Sequence, residues 1–192
     1  MAINSLFCLD MLGSLLPAQC ALCAGSCHGV VCSPCRQQYL EHTRRRCRQC
    51  ANPLADVALV CGRCLRRPPA YDATWTAADY AAPVDQLLLQ LKFGARLALA
   101  PLFAQLLVVA VRRDRGWDAP QVLCPVPLGP ARLVERGYNQ ALEIARPLAR
   151  RLAIPLQARL ATRVRETRAQ SGVAPRERRA NLAQAFMVAP QY

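Results

Sequence analysis

Cysteines carry the clearest chemistry in this sequence. Eight of the eleven form four Cys-x-x-Cys pairs, and the intervals between successive pairs are 8, 11 and 10 residues. A two-residue gap lets both sulfurs of a pair bind one ion from a tight turn, and four thiolates complete the tetrahedral shell that zinc accepts. The 8- and 10-residue intervals predict two consecutive zinc ribbons, each with a short hairpin between its pairs. The predicted ligands of the first ion are Cys20, Cys23, Cys32 and Cys35, and those of the second are Cys47, Cys50, Cys61 and Cys64.

The alternative chemistry for paired cysteines is a disulfide scaffold in a secreted protein. A secreted chain begins with a signal peptide, but no Lys or Arg precedes the apolar stretch in residues 1–17, and Asp10 interrupts it. We therefore predict an amphipathic helix over residues 1–17 and prefer zinc, in a structural role that leaves no position open for water. Cys27 or His28 could replace a ligand of the first ion, although the complete pairs favour a loop role for both.

The elements that follow the cysteine pairs predict a second domain. The double zinc ribbon is expected over residues 18–66, and an Arg/Pro linker at 65–69 separates it from an α/β domain over 70–192. Alternation of helices and strands in the second part predicts a mainly parallel sheet. The predicted elements are a hairpin over 71–81, helices over 83–93, 97–111 and 139–152, and strands over 121–126 and 185–189.

Composition excludes several classes of protein. The chain has 192 residues, 53% of them hydrophobic, so it is no disordered tail. The apolar run over 97–111 is too short for a membrane span, so no integral membrane segment is expected. Neither histidine lies in the α/β part, which excludes a serine–histidine triad there. The formal net charge is +13, and nearly all of the positive charge comes from arginine, because Lys92 is the only lysine. Such charge favours an anionic partner only weakly.

The segment over 124–140 reads CPVPLGPARLVERGYNQ, in which a strand and a Pro-rich turn lead into an Arg-Gly-aromatic-Asn-Gln helix start. This segment resembles the ComF family of competence proteins, which have a double zinc ribbon and a domain similar to type I phosphoribosyltransferases. The resemblance covers about residues 5–190. The further matching motifs are Lys92-Phe93-Gly94, the run containing Arg163, Arg165, Thr167 and Gln170, and the elements Arg178, Asn181 and Ala185-Phe186.

The resemblance implies substrate-binding residues that the spacing alone does not identify. It implies that Thr167 and Gln170 lie near a second substrate, and that magnesium takes part only if the site for phosphoribosyl pyrophosphate is complete. The other residues that it implies for substrate and pyrophosphate binding are Lys92, Arg136, Gly137, Asn139 and Gln140. From chemistry alone, Asn139 is better explained as a helix cap than as a pyrophosphate contact, and only the resemblance gives the second reading equal weight.

One family element is absent from this sequence. Type I phosphoribosyltransferases hold the ribose phosphate at a later loop, in which an acidic pair precedes Thr-Thr-Gly, and neither element occurs here. We therefore expect an incomplete α/β domain that lacks its C-terminal part and is inactive as the 192-residue chain. The sequence leaves open whether the chain is a fragment or the protein has lost the site.

Three functions from different classes follow. The preferred one is a cytoplasmic, ComF-like protein of DNA uptake that handles single-stranded DNA with a helicase-like ATPase. The second is a phosphoribosyltransferase, and the third is a zinc-ribbon interaction protein. Arginine clusters at 44–48 and 163–179 fit a nucleic-acid backbone or a solvated surface equally well.

Overall fold

The computed structural model describes residues 18–41, 44–55 and 57–190. The amphipathic helix predicted over 1–17 lies outside the described residues. The chain divides into two compact units, within 1–89 and 109–115 for the first and within 90–108 and 116–192 for the second. The predicted boundary at 65–69 and the assignment of 70–192 to one domain stay predictions.

The first unit contains two copies of one small motif. In the first copy, strand β1 (Ala18–Gln19) pairs antiparallel with β2 (Ser26–Cys27), and helix α1 (Ser33–Tyr39) follows. The second copy has a single antiparallel bridge between Arg46 and Pro53, followed by helix α2 (Gly62–Arg66). The short pairing thus flanks the first cysteine pair of each copy, and a helix carries the second pair. The prediction of a hairpin between the two pairs is therefore wrong, because the short antiparallel pairing encloses the first pair and a helix carries the second.

Backbone hydrogen bonds show that the two copies close their turns in the same way. The amide of Ala24 donates to the carbonyl of Cys20 at 2.9 Å, and the amide of Ala51 donates to the carbonyl of Cys47 at 2.8 Å. Both alanines adopt a left-handed conformation, with φ of 59° and 56°. This conformation is unfavourable for a residue with a Cβ, so the rest of each turn must hold it.

Two of the predicted helices account for most of the apolar sequence after residue 80. Helix α3 (Val84–Phe93) begins after Pro83, and helix α4 (Leu99–Arg112) contains the apolar run. Both confirm the predicted helices over 83–93 and 97–111. Leu87 and Leu91, one helical turn apart on α3, are fully buried. No helix among the described residues is both long and apolar enough to cross a membrane.

The core of the second unit lies between α4 and helix α6 (Gln140–Leu152). Ala104 and Val108 of α4 pack with Leu148 of α6. Partly buried side chains extend this cluster, and they are Leu107, Leu123, Ile144 and Leu152. Ile144, Leu148 and Leu152 of this cluster recur on α6 at intervals of four residues. This spacing explains why the amphipathic pattern over 139–152 predicted the helix correctly.

Strand pairing in the second unit differs from the prediction. Strand β4 (Phe186–Val188) confirms the strand predicted at 185–189, but it pairs antiparallel with β3 (Ala161–Arg163). Among the described residues, the one parallel pairing is a single bridge between Leu123 and Leu156, so the segment predicted as a strand over 121–126 forms no strand. The mainly parallel sheet is therefore not confirmed, because a ladder needs more than one paired position.

The hairpin predicted over 71–81 is wrong. The described residues there form bends rather than strands. The amide of Thr74 donates to the carbonyl of Arg48 at 3.0 Å, and its hydroxyl donates to the carbonyl of Gln49 at 2.5 Å. The second cysteine turn therefore supplies the hydrogen-bond partners that a second strand would have supplied.

Short helices and turns position the polar residues of the second unit. Helix α5 (Pro130–Arg136) ends at Gly137, whose φ of 75° lies in the left-handed region that glycine tolerates. A Cβ at Gly94 would lie 2.9 Å from the backbone oxygen of Gln90, so only glycine fits directly after α3. Helix α7 (Arg178–Leu182) follows two single 3-10 turns at Gln170–Gly172 and Pro175–Glu177.

Candidate functional site

The four cysteine pairs come together as two separate groups of four thiols. One group joins the first two pairs and the other joins the last two, and within each group all four sulfur atoms lie within 4.8 Å of one another. None of these eight sulfurs is in a disulfide in the described structure, which argues against the disulfide scaffold. The two groups are Cys20, Cys23, Cys32 and Cys35, and Cys47, Cys50, Cys61 and Cys64.

The sulfur spacing fits a tetrahedral metal ion. Zinc–sulfur bonds of about 2.3 Å at tetrahedral angles place neighbouring sulfurs about 3.8 Å apart. The Sγ atoms of Cys23 and Cys32 are 3.7 Å apart, as are those of Cys50 and Cys61. Four thiolates with no open position are the donor set of a structural zinc site. Each group therefore fits one structural zinc ion.

Helix starts and backbone amides favour thiolates in both groups. Cys32 and Cys61 occupy the N-cap positions of α1 and α2, where the helix dipole favours negative charge. The amide of Cys32 donates to Sγ of Cys20 at 3.3 Å, and the amide of Cys61 donates to Sγ of Cys47 at 3.3 Å. The first and third cysteines of each copy are therefore bonded in the same way.

The pKa values differ within each group. Burial disfavours the Cys20 thiolate, but backbone hydrogen bonds outweigh burial and lower its pKa to about 6. Backbone hydrogen bonds from Cys50 and Cys61 lower the pKa of Cys47 to about 6 as well. In contrast, burial and a hydrogen bond with Cys50 raise the pKa of Cys64 to about 12. A bound dication would supply the positive charge that a fourth thiolate requires.

The second cysteine group is joined to the rest of its unit by a polar contact. The indole Nε1 of Trp75 donates to Oδ2 of Asp114 at 3.2 Å, and Nη2 of Arg48 donates to Oδ1 of the same carboxylate at 3.4 Å. Arg48 lies between the two turn cysteines, Cys47 and Cys50. The position of Trp75 therefore depends on the fold of the second cysteine turn.

A second site gathers residues implied by the family resemblance at the C-terminal end of α3. The guanidinium of Arg136 lies 4.9 Å from the ring centroid of Phe93. Burial, together with the charge of Arg136, lowers the pKa of Lys92. The Tyr138 hydroxyl donates to the carbonyl of Leu91. Two cations are thus held close together, an arrangement that anions stabilise.

The start of α6 completes this group. The Asn139 side chain accepts from the amide of Ala141 at 2.9 Å and donates to the carbonyl of Val126 at 3.0 Å. Asn139 is therefore a helix cap that also ties the Pro-rich turn to α6. Gln140 accepts from Nη1 of Arg136 at 3.2 Å.

Thr167 and Gln170 lie on the segment after β3. Arg163 donates to the Thr167 hydroxyl and lies 5.5 Å from the Phe186 ring centroid. Gln170 donates to the carbonyl of Arg178 at 3.4 Å. These contacts hold Thr167 and Gln170 on the segment that follows β3.

Glu166 connects this segment to the Pro-rich turn. Its carboxylate accepts from the amide of Ala131 at 3.3 Å, and a Cβ at Gly129 would lie 2.6 Å from Oε2. Sequence reasoning did not single out Glu166, because it lies 35 residues from Ala131. It also missed Phe93 as the ring beneath Arg136, and the one available signal was its place in the Lys-Phe-Gly motif.

Three buried side-chain atoms have no hydrogen-bond partner among the described residues. They are Nε of Arg136, Nε of Arg163 and Oε1 of Gln170. Leaving a buried polar atom without a partner costs free energy. Each of these three atoms therefore indicates a position where a polar ligand or a water molecule would bind. All three belong to motifs that carried the family resemblance.

Comparison with known proteins matches both parts of the chain. The double zinc ribbon domain family matches residues 11–65, which contain all four cysteine pairs. DNA utilization protein YhgH of Escherichia coli strain K12 is 36% identical over 177 residues, which cover 89% of this chain and 78% of that protein. The protein of the same name from Salmonella typhimurium has the same identity and coverage.

A relative with a different name gives a similar match. Competence protein F of Haemophilus influenzae is 33% identical over 177 residues, which cover 89% of this chain and 76% of that protein. These matches extend well beyond the double zinc ribbon, so the similarity includes the second unit. No solved structure matches the chain.

Proposed function

The chain belongs to the ComF family, and from that membership we propose that it is a protein of DNA uptake that contacts single-stranded DNA in the cytoplasm. The observation that carries this proposal is the similarity, over 89% of the chain, to relatives named for competence and for DNA utilization. The double zinc ribbon and the excess of arginine are consistent with contact to a polyanion. A helicase-like ATPase is the protein partner that the family resemblance implies.

Two zinc ions have a structural role in this proposal. The eight paired cysteines hold them, and each ion fixes a segment too small to form its own hydrophobic core. Arg63 lies beside the second group, where a hydrogen bond with Cys50 raises its pKa. This arginine balances part of the negative charge of the four thiolates.

Direct DNA contact is tested by the salt dependence of binding. We expect the zinc-loaded chain to bind a fluorescein-labelled oligothymidylate at low salt. If about three phosphates are neutralised, the affinity falls roughly 20-fold between about 50 and 200 mM salt, because condensed counterions are released. Fluorescence anisotropy measures this slope. Absence of binding at low salt would contradict direct contact.

A second candidate function is favoured by the unpartnered buried atoms of Arg136, Arg163 and Gln170. We propose that the second unit derives from a phosphoribosyltransferase-like domain with a mainly parallel sheet. Lys92 and Arg136 would face the pyrophosphate of phosphoribosyl pyrophosphate. The remaining residues of this proposed site are Gly137, Asn139, Gln140, Thr167 and Gln170. Magnesium would neutralise the pyrophosphate if the site is completed.

Binding of phosphoribosyl pyrophosphate is expected to depend on the charge of Lys92. Burial lowers its pKa from the ordinary 10.5, so the ammonium loses its proton, and its attraction for phosphate, at a lower pH than an exposed lysine does. Affinity measured by calorimetry should therefore decline as the pH rises towards 10.5. Lys92→Gln should bind more weakly and lose this decline. A pH profile shared by both proteins would contradict a role for Lys92.

The third candidate, a zinc-ribbon interaction protein, predicts a different outcome for both assays. Such a protein would hold two zinc ions and bind neither the oligonucleotide nor phosphoribosyl pyrophosphate. The two binding assays, performed on zinc-loaded chain, therefore separate all three functions.

A further inference from the structure

A groove of about 430 Å³ lies in the first unit. One side is the end of α1 and Leu40, and the other is the segment over 78–82. The volume is within the range of about 300–1,000 Å³ that is usual for small-molecule sites. Tyr39 and Tyr80 both line it, and Tyr80 is 67% exposed. Two aromatic side chains in one groove offer surfaces on which a planar ring can stack.

An arginine at the groove is held by a carboxylate. Nε of Arg44 lies 3.6 Å from Oδ2 of Asp79, and both residues line the groove. The Arg44 side chain is 69% exposed. The atom of Arg44 that approaches Asp79 is Nε. The two terminal nitrogens of the guanidinium can therefore donate hydrogen bonds to a phosphate.

Both cysteine motifs support the walls of this groove. Cys32 is the N-cap of helix α1 and Cys35 lies within the helix, so the first group fixes the wall that carries Tyr39. On the other side, Asp79 also accepts from Nη2 of Arg46. Nη1 of Arg46 donates to the carbonyl of Ala51, in the second cysteine turn, at 2.9 Å. Both motifs therefore contribute contacts that hold the walls of the groove.

We propose that this Tyr39–Tyr80 groove holds one base of a single-stranded DNA, while Arg44 and its exposed neighbour Arg45 bind the adjoining phosphates. This rests on the DNA contact proposed above and assigns its place. Aromatic stacking accepts every base, which suits a protein that handles DNA of any sequence. The arginines alone would also suit an acidic peptide. The two aromatic rings beside them favour DNA, because a base can stack on the rings while its phosphates accept hydrogen bonds from the arginines.

The test compares two oligonucleotides that differ only in their bases. One is a labelled oligothymidylate, and the other is the same strand with abasic sites in place of the thymidines. Tyr80→Ala is expected to weaken binding of the first about ten-fold and to leave binding of the second unchanged, because only the stacking surface is lost. Tyr80→Phe should bind both strands as the unchanged chain does.

A matched control is Tyr71→Ala, which removes another exposed tyrosine that does not line the groove. It should bind both strands normally. Zinc content and unfolding midpoint of each variant report whether it is folded.

If the unchanged chain binds and Tyr80→Ala binds equally well, the groove assignment is overturned and the DNA contact stands. Equal weakening on both strands would also overturn base binding. If the unchanged chain does not bind DNA, the DNA contact fails and the groove assignment fails with it.

Discussion

Cys47→Ser is expected to reduce the zinc content of the chain from two ions to one. Cys47 is 1% exposed, and its sulfur both belongs to the second group and accepts from the amide of Cys61. Serine replaces the thiolate with a hydroxyl. A hydroxyl is a poor ligand for zinc at neutral pH. Because a structural zinc ion contributes on the order of 10 kcal/mol to folding, the second motif should unfold. Native mass spectrometry counts the ions directly.

Trp75 provides an independent measurement of the same change. Its indole is held by Asp114, which also accepts from Arg48 in the second cysteine turn. Unfolding of that turn should expose the indole to water and shift its fluorescence to longer wavelength. A Trp117→Phe background removes the other tryptophan, so the signal belongs to Trp75 alone.

Two matched cysteine variants make the result specific. Cys27→Ser should retain two zinc ions, because Cys27 lies outside both groups. Cys20→Ser should lose one ion from the first group, with a smaller change at Trp75, since Trp75 contacts the second turn. Retention of two ions by Cys47→Ser would refute the ligand assignment.

The cysteine groups could be predicted from sequence because their geometry is local. A two-residue gap fixes two sulfurs on one turn, and the interval to the next pair is short enough for only a few arrangements. Helices α3, α4 and α6 were predictable for a related reason. Their apolar positions recur at helical spacing, and Asn139 gives a start signal that acts within two residues.

Strand partners could not be predicted because pairing is decided by distant residues. Nothing within Phe186–Val188 specifies that Ala161–Arg163, more than twenty residues earlier, is its antiparallel partner. The same limitation explains the failed hairpin over 71–81. Thr74 has a side chain suited to strands, yet its amide and hydroxyl are satisfied by the carbonyls of Arg48 and Gln49.

The polar site shows the same division between local and distant information. The resemblance grouped Lys92 with Arg136, and the structure brings Arg136 to Phe93, the neighbour of Lys92. Spacing alone could not have done so, because the residues lie on different helices. Glu166 carried no motif at all, and only the fold reveals its contact with Ala131.

Leu91→Ala is expected to lower the free energy of unfolding of the chain by about 2–5 kcal/mol, because truncation of a buried leucine leaves a cavity in the core. Leu91 is 0% exposed, and its carbonyl accepts from Tyr138 beside the polar site. Urea unfolding, with zinc in excess so that metal loss does not contribute, measures the change.

Val134→Ala is the control for this prediction, since Val134 is 85% exposed on α5 and its truncation removes almost no buried surface. Its free energy of unfolding should differ from that of the unchanged chain by about 0.5 kcal/mol at most. Because Leu91 precedes Lys92, loss of its packing should also weaken binding of phosphoribosyl pyrophosphate, whereas Val134→Ala should not. Equal stability of the two variants would contradict the packing of α3, and with it the positioning of Lys92.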